Sequence, residues 1–575
     1  MKSILTVGLI TLLAANVLSQ KISTKFEQSK GTQTPTYFEI INWWKKLDEL
    51  SPKVTMLTMG ITDAGYPLHL VFVSNNGDNK PEIIRKKNKR IILINNGIHP
   101  GEPDGIDASM LLARDIVTAQ YKIPDNVVLA FVPIYNIGGC LNRSANYRVD
   151  QNGPQEFGSR GNAQNLDLNR DMIKCDSKDA RALTEIFHLL DPDVFIDNHV
   201  SNGADYQHVM TLLSTQSSKL GGAMGEYLNT QFEPALYSSM KQKGFDLVPY
   251  VNVWGDTPDK GWVEYWDSPR YASGYAALWH TFSFVPESHM LKPYHQRVKA
   301  TYALMQSFIE FTASNSDQIK QLRAQSKAEA KVAKQFPVHW ALDKSTFKEV
   351  LFKGYAALYK PSEVSGLPRL FYDRSQPYEA KVKIFNHYPA NEYVAKPKAY
   401  IIPQGWWRVT ELLKINKVEM KQLKSDTTVE VEVYKIDDYK AAPRQYEMHH
   451  INSEIKYSKT VQHISFNKGD WYIPMNQLAN RFLIETLEPF CEDSYFVWNF
   501  FDAILGQKEG YSAYVFEDIA SNYLKSNPTI ADKLNTQRII DTSFAKNGRA
   551  QLNFVYQNSP WFEPDFMRYP VYRVR

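Results

Sequence analysis

The sequence predicts an α/β fold, a mainly parallel mixed sheet with helices on both faces, followed by a β-rich α+β C-terminal region. Three observations lead there. Short apolar runs recur through the first half: "IILIN" at 91–95, "VVLAFVPIYN" at 127–136, "DVFIDNH" at 193–199 and "FSFVPE" at 282–287. Stretches of helical period separate them, such as "IDASMLLARDIVTA" and "DARALTEIFHLL". Apolar runs alternating with amphipathic helices mark strands covered on both faces in βαβ units. Beyond about residue 337 the pattern changes to alternation, as in "AKVKIFNHY" and "TTVEVEVYKI", which marks half-exposed strands.

From the N-terminus, "MKSILTVGLITLLAANVLSQK" has a lysine, an apolar stretch from Ile4 to Val17 and the small residue Ser19. This is a cleavable secretory leader pattern, so residues 1–19 are set apart from the fold and the chain is expected to be secreted or periplasmic. The apolar stretch is too short for a membrane span, and no later run reaches the ~18 residues one needs. Residues 20–313 form the expected catalytic domain, with a mobile start and then an amphipathic helix in "TYFEIINWWKKLDEL". Residues 314–336 are polar and helix-prone without a clear apolar stripe, and read as a linker helix. Residues 337–575 form a second domain, with alternating strands and later helical stretches such as "MNQLANRFLIETLEP" and "ASNYLKSN". The aromatic density of "EPFCEDSYFVWNFFDAILGQKEGYSAYVFEDIA" reads as core, and no chemistry is assigned to it.

A chain of 575 residues exceeds what one hydrophobic core supports, so two main domains are expected. The net charge is +4 from 66 basic and 62 acidic residues, with no basic block to track phosphates, which excludes nucleic acid as a partner. An aromatic share of 13% belongs to packed structure. Cys140, Cys175 and Cys491 are too few for a disulfide framework. Three buried thiols, or a Cys140–Cys175 bridge, fit the count. Oligomeric state is not fixed by the sequence.

In a sheet of this kind ligands bind beyond the carboxyl ends of the strands. His99 lies just past one apolar run, Asn136 ends another, His199 ends a third and Glu287 a fourth. Four polar groups on one rim are far harder to obtain by accident than the single tetrad His99-x-x-Glu102. Hydrolytic zinc takes three protein ligands and leaves a position for water, often with two His and one carboxylate. A His-Glu-x-x-His helix is absent. His99 and Glu102 supply one pair from a strand-to-helix turn, where Pro103 suits the first helical position and keeps Glu102 out of helical backbone. The third ligand is His199, with His188 and His208 as weaker alternatives on a helix and in the following segment.

The run "SRGNAQNLDLNRDM" at 159–172 completes a pattern: His99-x-x-Glu102, Arg160, Asp167-Leu168-Asn169-Arg170, His199, Glu287. It resembles the zinc carboxypeptidase family of the carboxypeptidase A and B type, over roughly residues 35–312. The spacing from Arg160 to Asn169-Arg170 is similar to that of the regulatory branch, although Gly161 stands where an Asn is usual and Asn165 where a Gly is usual. The resemblance implies one Zn2+ held by His99, Glu102 and His199, with Asp167 accepting from the far nitrogen of His99. It implies that Asn169 and Arg170 bind a peptide's C-terminal carboxylate, and that Arg160 polarises the scissile carbonyl. Glu287 would then be the general base toward a zinc-activated water. A tyrosine closing over the substrate is assigned to Tyr271, with Tyr265 and Tyr275 as rivals. The expected substrates are peptide or protein C-termini. Two other readings stay open: action on cell-wall or modified peptides, and an inactive peptide- or glycan-binding protein on the same scaffold. The second region resembles the extension of long exported relatives.

Overall fold

The computed structural model describes residues 22–575; the leader assigned to residues 1–19 lies outside the described residues. The expected mobile start is instead packed from Ile22 onward. Ile22 and Phe26 are buried, and Thr24 and Glu27 form a capping box around a short helix.

Helix α1 (Tyr37–Leu50) begins the main body. The Thr36 hydroxyl accepts from the Glu39 N–H while the Glu39 carboxylate accepts from the Thr36 N–H, satisfying two donors that a helix start leaves open. Its face of Ile40, Ile41, Trp44 and Leu47 is buried at a spacing of three to four residues.

Strands β1 (Val54–Ile61), β2 (Pro67–Val73), β3 (Arg90–Asn95) and β4 (Val127–Val132) are followed by β5 (Val194–Asp197) and β6 (His199–Ser201). Then come β7 (Met210–Ser214), β8 (Leu247–Pro249) and β9 (Phe282–His289). They form a nine-stranded sheet in the order β1-β2-β4-β3-β5-β9-β7-β8, with β6 continuing beside β9. The pairs β3/β4, β3/β5, β5/β9, β6/β9 and β7/β8 are parallel, whereas β1/β2, β2/β4 and β7/β9 are antiparallel. All residues of β3 and β4 are buried, as central strands covered on both faces require. Helices α2 (Asp104–Val117), α3 (Lys178–Leu190), α4 (Ala272–Leu278) and α5 (Tyr294–Ser314) flank the sheet. The run read as one strand at 193–199 is two. The Asn198 N–H turns to the Asn95 carbonyl at 3.1 Å, and the break leaves His199 at the start of β6.

The stretch expected to be a linker is helix α6 (Ser316–Val332), and it is packed rather than free. Ile319 and Leu322 join the main core, while Arg323 donates to Asp191, Asp193 and the His280 carbonyl. A short apolar stripe completed by a buried arginine is invisible to a count of apolar residues.

The chain divides into two compact units, and not at residue 337. The first runs through Lys396 and also takes in Trp407–Met420 and Pro474–Ser494; the second comprises Pro397–Trp406, Lys421–Ile473 and Tyr495–Arg575. Contacts distant in sequence cause the difference. Phe352, on the long hairpin strand β10 (Lys348–Pro361), is buried with Tyr206, Val248 and Trp262. Its partner β11 (Pro368–Phe385) pairs with Trp262–Val263. Asn416 accepts from the Tyr275 hydroxyl at 2.6 Å, and Asp493 takes Arg270 at 2.7 Å.

The second unit is β-rich, as expected, with a six-stranded sheet and a helical portion over 513–557 that has its own core around Phe516, Leu534 and Tyr556. Within it Tyr495, Phe496, Trp498 and Phe501 are buried, so this part of the aromatic segment is core. All three cysteines are free and buried. Among the described residues no helix is long and apolar enough to cross a membrane.

Candidate active site

The parallel strands β3, β4, β5, β6 and β9 end at one rim, and the turn after β3 carries the first two candidates. Gly97 sits at φ +64°, and a Cβ there would stand 2.3 Å from Ile134, so the chain turns where only glycine fits. The Glu102 N–H closes the next turn on the His99 carbonyl at 2.8 Å. Pro103 is the N-cap of α2, one residue before the expected position. His99 and Glu102 thus project from the turn and not from the helix. His199 opens β6 directly across from Glu287 of β9 in the parallel register.

His99 Nδ1 lies 3.3 Å from Glu102 Oε1, and His199 Nδ1 lies 3.0 Å from Glu102 Oε2. The far nitrogens are both occupied: His99 Nε2 meets Asp167 Oδ1 at 2.9 Å and His199 Nε2 meets Asp197 Oδ2 at 3.0 Å. A carboxylate only accepts, so each Nε2 is held as a donor by its acid, and the two Nδ1 atoms are the pair turned toward Glu102. One donor atom from each of His99, Glu102 and His199 lies within 4.8 Å of the others. Two imidazoles backed by carboxylates and one acid, all buried, fit a divalent cation. Of the other histidines considered, His188 is engaged with Tyr275 and Asn416, and His208 with the Asp246 carbonyl and the Lys353 N–H.

The electrostatics follow from this packing. Burial alone would raise the pKa of Glu102, yet Arg148 and His99 outweigh it and hold the carboxyl well below its ordinary range. Burial would likewise raise Asp167, but His99, Arg160 and Arg170 carry it far down. Burial disfavours protonated His199, and Asp197 and Glu102 overcome that and push it well up. Glu287 goes the other way: burial pushes it up to about 8, opposed by His199 and reinforced by the Glu102 charge.

A cavity of about 500 Å³ opens on these groups, lined among others by His99, Glu102, Arg160, Asn169, Arg170, His199, Tyr271 and Glu287. Asp167 stands behind them. It caps a one-turn 3-10 helix (Leu168–Arg170) by accepting from the Asn169 N–H at 2.9 Å, which brings Asn169 and Arg170 to the cavity. Arg160 binds Asp167 through Nε and Nη2 at 2.9 and 2.8 Å, and its Nη1 is 3.3 Å from His99 Nδ1. The Arg170 guanidinium lies 4.6 Å from the centre of the Tyr271 ring. Of the rival tyrosines, Tyr265 also lines the cavity, whereas Tyr275 is buried against His188 and Asn416. Asn136 is not at the cavity; it caps a short helix and donates to the Arg160 carbonyl at 2.9 Å, supporting that residue from behind.

Several residues at the site were not anticipated. Asp197 backs His199 from outside the cavity lining, and its Asp-x-His spacing is a signal that could have found it. Arg148, Tyr250 and Asp267 gave no such signal, because each reaches the cavity from a loop.

Residues 40–185 match the zinc carboxypeptidase family. That span includes His99, Glu102, Arg160, Asp167, Asn169 and Arg170, and stops short of His199 and Glu287. A comparison with curated proteins finds no match. Solved structures similar to this chain include a metallo-carboxypeptidase from Burkholderia cenocepacia, at 16% identity over 49% of this chain and 70% of that one, TM-score 0.37. Another is a Pseudomonas aeruginosa metallo-carboxypeptidase, at 14% identity over 49% and 68%, TM-score 0.36. A third is the carboxypeptidase A of Helicoverpa armigera, at 13% identity over 49% and 74%, TM-score 0.37. The match to the zinc carboxypeptidase family thus rests on residues 40–185, and the His-Glu-His group is built around that span's first motif.

Proposed function

We propose that the chain is a secreted zinc carboxypeptidase that releases residues from peptide C-termini. The observation that carries this reading is the meeting of His99, Glu102 and His199 beside Glu287 in one cavity that also presents Asn169, Arg170 and Tyr271. His99, Glu102 and His199 would hold zinc, which when bound would supply Lewis acidity and lower the pKa of a water.

The chain's own residues do the rest. Arg170 offers a planar fork to a terminal carboxylate, with Asn169 beside it and the Tyr271 ring packed on the guanidinium. Arg160 is about half exposed, so its guanidinium is available to the scissile carbonyl as negative charge develops there. Glu287 takes a proton from the attacking water and returns it to the leaving amine. Exclusion of an internal peptide chain follows from the paired requirement for a free carboxylate at Arg170 and a carbonyl near Arg160. The leader pattern of residues 1–19 supports export, as a secreted or periplasmic protein.

The test is incubation of the purified protein with peptides bearing free or amidated C-termini, and with peptidoglycan stem peptides, with and without chelator. Chelator-sensitive release of single terminal residues from free-ended peptides is expected, with one zinc per chain. Glu287→Gln should keep its zinc and lose about 10²- to 10⁴-fold in kcat. Release confined to stem peptides would move the substrate to the cell wall, and zinc retention without turnover on any substrate would reject the enzyme reading.

A further inference from the structure

Two arginines reach Glu102, and they are not equivalent. Arg160 is 48% exposed and lies 3.6 Å from Glu102 Oε1, with its main contacts on Asp167. Arg148 is 16% exposed; its Nη1 donates to Glu102 Oε1 at 2.6 Å and its Nη2 donates to the Val200 carbonyl at 2.9 Å. The Val200 N–H in turn donates to Glu102 Oε2 at 2.9 Å. The guanidinium, the carboxylate and the backbone of one residue therefore close a ring. That residue, Val200, directly follows His199.

Each Glu102 oxygen meets one donor of this ring and one imidazole: Oε1 meets Arg148 Nη1 and His99 Nδ1, and Oε2 meets the Val200 N–H and His199 Nδ1. The planar fork of Arg148 lets one nitrogen serve Glu102 while another serves the Val200 carbonyl. The Arg148 stem lies on Gly101, where a Cβ would stand 2.9 Å from Arg148 Cδ and 3.0 Å from the Gly158 carbonyl. Gln151, in the same loop, donates to the Gly101 carbonyl at 2.9 Å, so the loop is fastened to the turn at two points.

We propose that Arg148 is a positioning residue of the metal centre, tying the Glu102 carboxylate to the strand that carries His199 and so fixing the two ligand-bearing segments to each other. Its more exposed counterpart Arg160 keeps its main contacts on Asp167 and lines the cavity. The inference rests on the zinc reading of the site above. It deepens that reading, because a ligand set drawn from a turn and a separate strand needs something to set their separation.

Zinc affinity measured by competition with a chromophoric chelator tests it on wild type, Arg148→Gln and Arg148→Lys. Arg148→Gln should bind zinc about 10- to 100-fold more weakly. Arg148→Lys, which keeps the charge without the fork, should fall between. At saturating zinc the KM of Arg148→Gln for a peptide substrate should match wild type, since Arg148 acts through Glu102. Zinc affinity of Arg148→Gln within twofold of wild type overturns the proposal, as does a raised KM with unchanged zinc affinity. A loss of affinity matched by an equal loss of metal-free melting temperature in both variants also overturns it, by showing general destabilisation. Should wild type itself bind no zinc, the functional reading falls with it; zinc binding that ignores Arg148 sinks only this inference.

Discussion

Asp167 shows how much one side chain organises at the residue scale. Its two oxygens accept from His99 Nε2, the Asn169 N–H and Arg160. One carboxylate therefore orients an imidazole, starts the turn that presents Asn169 and Arg170, and anchors Arg160. The terminal-carboxylate role proposed for Arg170 makes a separate prediction. Arg170→Ala should lower kcat/KM for free-ended peptides by about 10- to 100-fold, the worth of a hydrogen bond to a charged group, and leave zinc binding unchanged. An equal loss on amidated and free-ended peptides would place Arg170 elsewhere in the reaction. His99, Glu102, Asp167, Asn169, Arg170 and Glu287 were legible because each sits in a short motif or at the end of an apolar run. Arg148 was not, since its partner Glu102 is 46 residues away and nothing in "NYRVDQ" signals a metal site.

Among the elements, the buried runs and amphipathic helices of the first unit lie close to where their periodicity placed them. The predicted strand 91–95 is Arg90–Asn95 and the predicted helix 179–190 is Lys178–Leu190. What periodicity missed was the break at Asn198 and the burial of α6, both decided by partners distant in sequence. Helix α3 carries a testable consequence. His188 is half-buried against Tyr275, Trp279 and Asn416, and desolvation pushes its pKa down to about 4 from an ordinary 6.5. The unfolded chain then binds more protons between those values. The stability this group contributes is present above pH 6.5 and is lost as the pH falls toward 4, at up to about 1.4 kcal/mol per pH unit. Denaturant unfolding of wild type and His188→Asn across that window checks it. The gap between them should shrink on acidification, and a constant gap would refute the assignment.

At the scale of the whole molecule the first unit is discontinuous, with 407–420 and 474–494 packed into it. A chain ending at residue 336, as a boundary read from composition suggests, would strip buried Asp493 from half-buried Arg270 and Asn416 from Tyr275, and would uncover Trp262. We expect this truncated chain to be insoluble or to unfold well below the full-length protein. Equal melting temperatures in thermal unfolding would show that the added segments are dispensable.

By itself the sequence determined the α/β class, the strand ends that face one rim and the residue types capable of holding zinc, because local periodicity and short motifs need no knowledge of distant partners. Tertiary structure alone decided where the first unit ends, that the supposed linker is core, and that Arg148 closes a ring between Glu102 and Val200. Those features depend on pairings between residues far apart in the chain, and such pairings leave no periodic trace.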